Sequence, residues 1–292
     1  MDSRRRLALA LVLAVAVAAL EFWGGFAARS LALTTDAVHV CMDVFALAIA
    51  LIAATGASRP ANRRKTFGYG RIEVLGALLN GALLFGATLV LVYAAVRRLG
   101  APVEPHGALM TIVAAIGFVV NVTIGLTLSH GHQRNLNVRA ALFHVAGDAL
   151  GALAVILGGA FILWTSQAWI DPLLSLVVAG IIIVGVVRVL RDAADVLLEG
   201  TPSDIDSAEV ERSIAAIDGV VAVHDLHVWS IGSESRALSA HILLDDRRIS
   251  EGAAVLENLR RLARERYDVG HVTVQLECEH CDPGGIIICR PD

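Results

Sequence analysis

The sequence predicts an α-helical membrane protein with six transmembrane helices and a smaller C-terminal α+β domain. Its mean hydropathy is +0.66. Charged residues make up 18% of the 292 residues, whereas soluble proteins contain about 25%. Most of the apolar runs lie in residues 1–198, and residues 199–292 have the composition of a soluble domain. We therefore predict a membrane domain at 1–198 and a C-terminal domain with a Cys-containing tail at 199–292.

Six apolar stretches reach the roughly 20 residues that a helix needs to cross a bilayer. They comprise residues 7–27, 32–55, 72–96, 107–129, 140–164 and 169–190. The first stretch is longer than the apolar core of a secretory signal, which has about 7–15 residues, and more spans follow it. We interpret it as a retained first helix. Asp171 and Pro172 open the sixth stretch, where they predict its N-cap and its first helical residue.

Basic residues indicate how these spans are oriented, because Lys and Arg favour the cytoplasmic side of a membrane. They cluster at the N-terminus, after the second span and after the fourth span, and these positions share one side of a six-helix chain. We therefore expect the N- and C-termini in the cytoplasm, with a bacterial inner membrane as the location. The chain has no long basic stripe, so we expect no nucleic-acid partner.

Ionisable residues recur inside two of the spans in the same pattern. The second span contains Asp36, His39 and Asp43, and the fifth span contains His144 and Asp148. Offsets of three and four residues place each set on one helical face. Ionisable groups in hydrocarbon cost roughly 2.5–3.5 kcal/mol on insertion scales, so residues of this kind indicate function.

The two His-x-x-x-Asp pairs supply two imidazoles and two carboxylates, a ligand set that suits a tetrahedral zinc site. Imidazole ligands favour zinc, cobalt, nickel or copper over magnesium and calcium. Hydrogen bonding between helices is the alternative interpretation, but the repetition of the pair favours a metal. Two interpretations of Asp36 remain open: it lines a water-filled entrance, or it stabilises a helix contact. Two interpretations of Glu21, in the first span, are also open: it packs between helices, or it reaches the membrane interface.

Four motifs in chain order resemble the cation diffusion facilitator family. Residues 30–39 with Asp43 resemble the second-helix motif, and residues 143–151 resemble the fifth-helix motif. Residues 67–73 resemble the entry to the third helix, and residues 197–202 resemble the junction to the cytoplasmic domain. The similarity extends over nearly the whole chain.

This resemblance implies a homodimeric antiporter that exports a divalent metal from the cytoplasm in exchange for protons. The family's transport ligands fall on His39, Asp43, His144 and Asp148, and the His/Asp pairing is similar to the zinc-transporting branch. Zinc is therefore the implied substrate, with no organic cofactor. The implied partners are the lipid bilayer and a second copy of the chain. The loop between the second and third helices lacks the His and Asp ligands that some members carry there.

The C-terminal domain is predicted to contain a further zinc site. Residues 203–278 predict the order helix, strand, strand, helix, strand, which resembles the ferredoxin-like, metallochaperone-like domain of the family. His224, His241 and Glu277 match positions that bind regulatory zinc in some members, although Gln275 stands where one branch has a histidine.

Two further groups are open to both a metal-binding and an ordinary interpretation. Cys278 and Cys281 form a C-x-x-C pair, which either binds zinc with a partner or belongs to a mobile tail. His130 and His132 follow the fourth span, where they either pass zinc to the transport site or are ordinary surface residues.

A membrane metalloenzyme and a non-transporting metal sensor are the competing classes of function. An enzyme needs an open metal position beside a general base, as in the H-E-x-x-H motif, and this motif does not occur in the sequence. We therefore predict a transporter rather than an enzyme. Metal-dependent proton movement separates a transporter from a sensor.

Overall fold

The computed structural model describes residues 3–57, 59–101, 103–129, 136–232, 235–245 and 249–278. Within these residues, six long helices precede a small αββαβ unit. The helices are α1 (Ser3–Ala28), α2 (Leu31–Ala57), α3 (Arg71–Gly100), α4 (Gly107–Ser129), α5 (Leu136–Thr165) and α6 (Ile170–Leu197). The C-terminal elements are α7 (Ser207–Ala215), β1 (Val220–Ser230), β2 (Arg236–Leu244), α8 (Ile249–Tyr267) and β3 (His271–Cys278).

Each of the six predicted spans corresponds to one of the six helices, and the predicted fold class is confirmed. The clearest difference lies at the end of the sixth span, where hydropathy falls at residue 190 but α6 continues to Leu197. The added residues include alanine and leucine, and no glycine or proline occurs before Gly200. Hydropathy marks the part of a helix that lies in the membrane, whereas helix propensity and breaking residues determine where the helix ends.

The outer faces of these helices are apolar. Trp23, Phe26 and Ile181 are between 70% and 80% exposed, while Glu21 and Asp36 are buried. A soluble protein has the opposite arrangement, so these faces require a surrounding hydrocarbon phase. Within the described residues, the stretches long and apolar enough to cross a membrane by length and composition are Arg71–Gly100, Gly107–Leu126, Val145–Thr165 and Ile170–Leu197.

The chain divides into a first unit, residues 1–49 with 79–190, and a second unit, residues 50–78 with 191–292. In the first unit, α4 and α5 approach closely, because a Cβ on Gly159 would lie 3.1 Å from the carbonyl oxygen of Gly107. Small residues permit this approach in membranes, where apolar burial does not drive helix association. Buried apolar side chains join α1, α2, α4, α5 and α6; they are Ala28, Ala32, Leu33, Met110, Val113, Ala114, Val155, Ile162 and Ile170.

Asp171, near the start of α6, caps the first turn of α2 rather than its own helix. Its carboxylate accepts hydrogen bonds from the Ser30 hydroxyl (2.5 Å), the Leu31 N–H (2.7 Å) and the Ala32 N–H (3.2 Å). Arg98 of α3 lies 3.3 Å from the same carboxylate and balances its charge. The expectation that Asp171 caps α6 is wrong. Its side chain instead reaches the first turn of α2, whose N–H groups have no acceptor within their own helix.

In the second unit, the sheet has the strand order β1-β2-β3. Strand β1 is antiparallel to β2, and β2 is parallel to β3 through a crossover that contains α8. Asp206 is the N-cap of α7, since its side chain accepts a hydrogen bond from the first turn at 3.0 Å. Ile242 and Leu259 lie in the core between the sheet and the helices. The described elements form the ferredoxin-like pattern without its first strand.

Replacing Asp171 by asparagine is expected to destabilise the protein by about 3 kcal/mol, because the change leaves the Arg98 guanidinium without its buried counter-charge. For a chain of this size, that loss corresponds to a midpoint of thermal unfolding lower by about 6–12 °C. The measurement is thermal unfolding of the purified protein in detergent. Asp192→Asn, which changes an exposed carboxylate in the same helix, is the control. Equal midpoints for the two variants would contradict the capping role.

Candidate metal centre

The His-x-x-x-Asp pair of α2 meets Asp148 of α5 inside the first unit. His39 Nε2 lies 3.7 Å from Asp43 Oδ2 and 3.8 Å from Asp148 Oδ1. Two atoms that ligate the same tetrahedral zinc ion, each at about 2.0–2.2 Å from it, lie about 3.3–3.6 Å from each other. The distances from His39 to Asp43 and Asp148 are therefore close to those expected around one bound zinc ion. Between 14% and 28% of each side chain is exposed, so an ion can reach the cluster.

Helix geometry and a close contact between α2 and α5 position these ligands. His39 and Asp43 are four residues apart, so they lie one above the other on α2. Asp36, one turn earlier, is 4% exposed, and a Cβ on Gly151 of α5 would lie 3.4 Å from its Oδ1. Of the two interpretations left open by the sequence, the structure favours a helix contact for Asp36 over a water-filled entrance.

Several predicted site residues lie outside the part of the chain that the structure describes. His144 belongs to α5, one turn before Asp148, but its side chain is outside the described residues. The same is true of the side chain of Cys278, the last residue of β3. His130, His132 and Cys281 lie wholly outside the described residues, and the roles of all these residues stay predictions.

A second cluster of ligand side chains lies on the sheet of the second unit. The strand register places His224 opposite His241, and their ring centroids are 5.2 Å apart. Glu277 contacts both rings: its Oε2 lies 2.9 Å from His224 Nε2, and its Oε1 lies 2.9 Å from His241 Nδ1. Gln275 donates a hydrogen bond from Nε2 to Glu277 Oε1 at 2.9 Å. The structure therefore brings together His224, His241 and Glu277.

The two clusters differ in the spacing of their ligand atoms. The 2.9 Å separations around Glu277 are ordinary hydrogen-bond distances, shorter than the roughly 3.3–3.6 Å between two ligands of one zinc ion. A metal ion can bind there after Glu277 has moved away from at least one imidazole. The cluster around His39 has separations of 3.7 and 3.8 Å, slightly longer than those between two ligands of one zinc ion.

Asp225 is a polar neighbour of the second cluster that the sequence analysis missed. It has a φ of 51° and lies in a bulge of β1 between His224 and His227. One carboxylate oxygen lies 2.9 Å from His227 Nε2, and the other lies 3.8 Å from His241 Nε2. A bulge inserts one residue and turns neighbouring side chains to new directions. The sequence did contain a signal for this bulge. His224, Asp225 and His227 are three polar residues within four positions of one strand, and a regular strand that alternates polar and apolar residues does not produce this pattern.

A bundle of apolar, membrane-length helices that holds imidazole and carboxylate groups at metal spacing defines the class of integral membrane metal-binding proteins. Comparison with family models narrows this class. Residues 7–198 match the cation efflux transmembrane domain, and residues 202–279 match the cytoplasmic domain of cation efflux proteins. The chain therefore belongs to the cation efflux family, which confirms its resemblance to the cation diffusion facilitators.

Named relatives are similar over almost the full length of the chain. The metal cation efflux system protein CzcD of Cupriavidus metallidurans is 38% identical over 96% of this chain and 88% of its own. The cadmium, cobalt and zinc/H(+)-K(+) antiporter of Bacillus subtilis is 38% identical over 93% of this chain and 88% of its own. The zinc transporter ZitB of Escherichia coli is 34% identical over 96% of this chain and 89% of its own.

Replacing Gly151 by valine is expected to weaken Zn²⁺ binding by about tenfold. The added side chain overpacks the contact with Asp36, at a cost of about 1–3 kcal/mol, and each 1.4 kcal/mol changes affinity about tenfold. The separation of α2 and α5 that relieves the overpacking moves Asp148 away from His39. Isothermal titration calorimetry of the purified protein measures the change.

Gly147→Val is the matched control, because a Cβ on Gly147, one turn earlier in α5, meets no atom of the described residues within 4 Å. It is expected to keep its affinity within about threefold of the wild type. Equal losses in both valine variants would show that helix propensity, rather than the spacing of α2 and α5, controls binding.

Proposed function

We propose that this protein is a zinc/proton antiporter that exports zinc from the cytoplasm. The observation that carries the proposal is the placement of His39, Asp43 and Asp148 at metal-ligand separations inside a membrane-spanning bundle. His144 is the proposed fourth ligand. It lies one helical turn from Asp148, and two imidazoles with two carboxylates complete a tetrahedral set.

The donor atoms support zinc as the substrate. Imidazole nitrogen favours zinc, cobalt and nickel over magnesium and calcium, which prefer oxygen ligands throughout. The names of the relatives agree with this chemistry, since one is a zinc transporter and another a cadmium, cobalt and zinc antiporter. Four protein ligands leave no open position for a catalytic water, so we propose transport without an enzymatic reaction and without an organic cofactor.

The same ligands couple metal movement to protons. A metal ion binds neutral imidazole and ionised carboxylate, so it displaces protons wherever these groups are protonated. Histidine ordinarily titrates near pH 6.5, so an acidic compartment favours protons at the site and a neutral cytoplasm favours metal. Rocking of the helices around the site then exposes it to one side and to the other in turn.

The remaining features of the proposal concern membrane placement and assembly. We propose cytoplasmic N- and C-termini, supported by the distribution of basic residues, and a bacterial inner membrane, in line with the bacterial relatives. We also propose a transmembrane domain at 1–198 and a dimerisation and regulatory domain at 199–292, supported by the family models that match 7–198 and 202–279. The second of these family models describes a cytoplasmic domain. We propose that this domain joins two copies of the chain in a homodimer.

In the C-terminal domain, we propose a regulatory zinc site formed by His224, His241 and Glu277, extended by Cys278 and Cys281. The hydrogen bond between Glu277 and His224, together with the close contact of Glu277 with His241, describes the metal-free arrangement of this site. Zinc must displace these contacts to bind, so it binds more weakly than at a site whose ligands already stand apart. A weaker second site is suited to sensing a rise in cytoplasmic zinc.

Asp148→Asn is expected to reduce zinc transport by at least about tenfold, because the variant loses one of the two anionic ligands that compensate the charge of the ion. The measurement is zinc uptake into proteoliposomes under a pH gradient, with proton movement followed by a pH-sensitive dye. Asp192→Asn, outside the proposed site, is the control and is expected to transport as the wild type does. Zinc binding by the wild type without any flux would refute the antiporter and favour the metal sensor.

His39→Asp is expected to reduce the preference for zinc over manganese by about tenfold, because replacing a nitrogen ligand by oxygen moves the donor set toward hard cations. Competition between the two ions in the proteoliposome assay measures the preference. If the ratio of zinc to manganese transport is unchanged while the variant remains active, His39 does not ligate the transported ion.

A further inference from the structure

Glu21 of α1 is a fully buried carboxyl group without a hydrogen-bond partner in the described part of the chain. Its side chain is 0% exposed, and neither Oε1 nor Oε2 meets a donor there. Of the two interpretations of Glu21 that the sequence leaves open, the structure favours packing between helices over the membrane interface. Buried polar groups are nearly always hydrogen-bonded, so a buried acid without any partner needs a functional explanation.

The contacts of Glu21 place its carboxyl group within the helical bundle. A Cβ on Gly117 of α4 would collide with Glu21 Oε1, so the glycine provides the space that the carboxyl group occupies. Helix α4 carries no ionisable side chain. Among the described residues, Asp36 and Cys41 of α2 and Asp148 of α5 are near enough to interact with Glu21 electrostatically. Asp148 belongs to the metal cluster, and no hydrogen bond within the described residues links it to Glu21.

Asp171 shows what a structural buried acid looks like in the same unit. It is also 0% exposed, but three hydrogen-bond donors and the Arg98 guanidinium surround it. Among the described residues, Glu21 has none of these compensating groups, and its neighbours Asp36 and Asp148 are themselves acids. An ionised carboxylate is strongly unfavourable in such a place, whereas a neutral carboxylic acid is tolerated.

A divalent ion in the metal cluster shifts this balance. Its two positive charges cancel the negative charges of Asp43 and Asp148, so the repulsion that disfavours an ionised Glu21 falls when the ion binds. Glu21 can therefore give up a proton when metal arrives and take one back when metal leaves. The proton comes from the carboxyl O–H bond, leaves to water, and returns from water, so no further reactant is required.

We propose that Glu21 is a proton-binding site of the transport cycle, separate from the metal ligands, that holds one proton while the metal cluster is empty. This inference rests on the proposed zinc/proton exchange and adds a second place at which that exchange stores a proton. It also assigns a role to α1, which carries no predicted metal ligand.

Glu21→Gln tests the proposal, because glutamine keeps the size of the side chain but has no proton to exchange. The full-length protein in detergent is titrated with Zn²⁺ by calorimetry in buffers of different ionisation enthalpy, which yields the number of protons released per ion bound. The variant is expected to release about one proton fewer than the wild type, and its Zn²⁺ affinity is expected to fall about tenfold at neutral pH, because it lacks the carboxylate that metal binding ionises. Glu104→Gln, an exposed residue in the α3–α4 loop, is the matched control and is expected to release the wild-type number.

A transport assay provides the second readout. In proteoliposomes without a pH gradient, Glu21→Gln is expected to retain the exchange of zinc for zinc. With a pH gradient, its zinc flux is expected to be at least about tenfold lower than that of the wild type. Glu21→Asp, which restores an ionisable group, is expected to release the wild-type number of protons. If the glutamine variant does not fold, Glu21→Ala, which also lacks an exchangeable proton, provides the same readout and is expected to release about one proton fewer than the wild type.

The possible failures can be told apart. If the wild type releases protons and Glu21→Gln releases the same number, the role of Glu21 is refuted and the proposed antiporter stands. If Glu21→Gln folds but loses zinc binding, zinc exchange and pH-driven flux together, Glu21 is a packing residue and the proposal also falls. If the wild type itself releases no protons, the proposed zinc/proton exchange fails, and this inference fails with it.

Discussion

Polar groups inside the helical bundle have no bulk water to bond with, and this constraint organises the first unit. Asp171 meets it by accepting bonds from Ser30 and from two N–H groups of α2, with Arg98 beside it. The same bonds satisfy the first turn of α2, which has no acceptor within its own helix. The start of α2 is thereby fixed, and with it the position of His39, slightly more than two turns further along.

The buried acids of this unit differ in how fully their environment compensates them, and the difference follows their proposed roles. The carboxylate of Asp171 is surrounded by donors, as suits a residue that holds helices together. His39 and Asp148 are separated by 3.8 Å, which leaves the spacing for an ion that must enter and leave. Glu21 has no hydrogen-bond partner among the described residues. Groups whose charge must change during a cycle cannot be locked by permanent bonds, because such bonds would favour one charge state throughout.

Much of this architecture could be predicted from local sequence patterns. A bilayer of nearly constant thickness sets the length of each span, so the six apolar stretches were located by length and composition. The pairing of His39 with Asp43 follows from helical periodicity, because residues four apart share a face. In the C-terminal domain, the predicted order helix, strand, strand, helix, strand is the order observed. The bulge at Asp225 interrupts the alternation of side chains in β1 and hid the role of that residue.

What the sequence determined by itself was the identity of the elements and of the groups capable of binding metal, because both depend on residues near one another in the chain. Tertiary structure decided which of these groups meet. It turned Asp171 toward α2 instead of α6, packed Asp36 against Gly151, and buried Glu21 beside Gly117. These outcomes depend on contacts between helices that are far apart in sequence. At Gly117 and Gly151, a glycine on one helix leaves room for a carboxyl group of another helix. Helical periodicity identifies the face on which a residue lies, but only the packing of the helices determines which groups it contacts. Those contacts determine whether a buried acid is structural or functional.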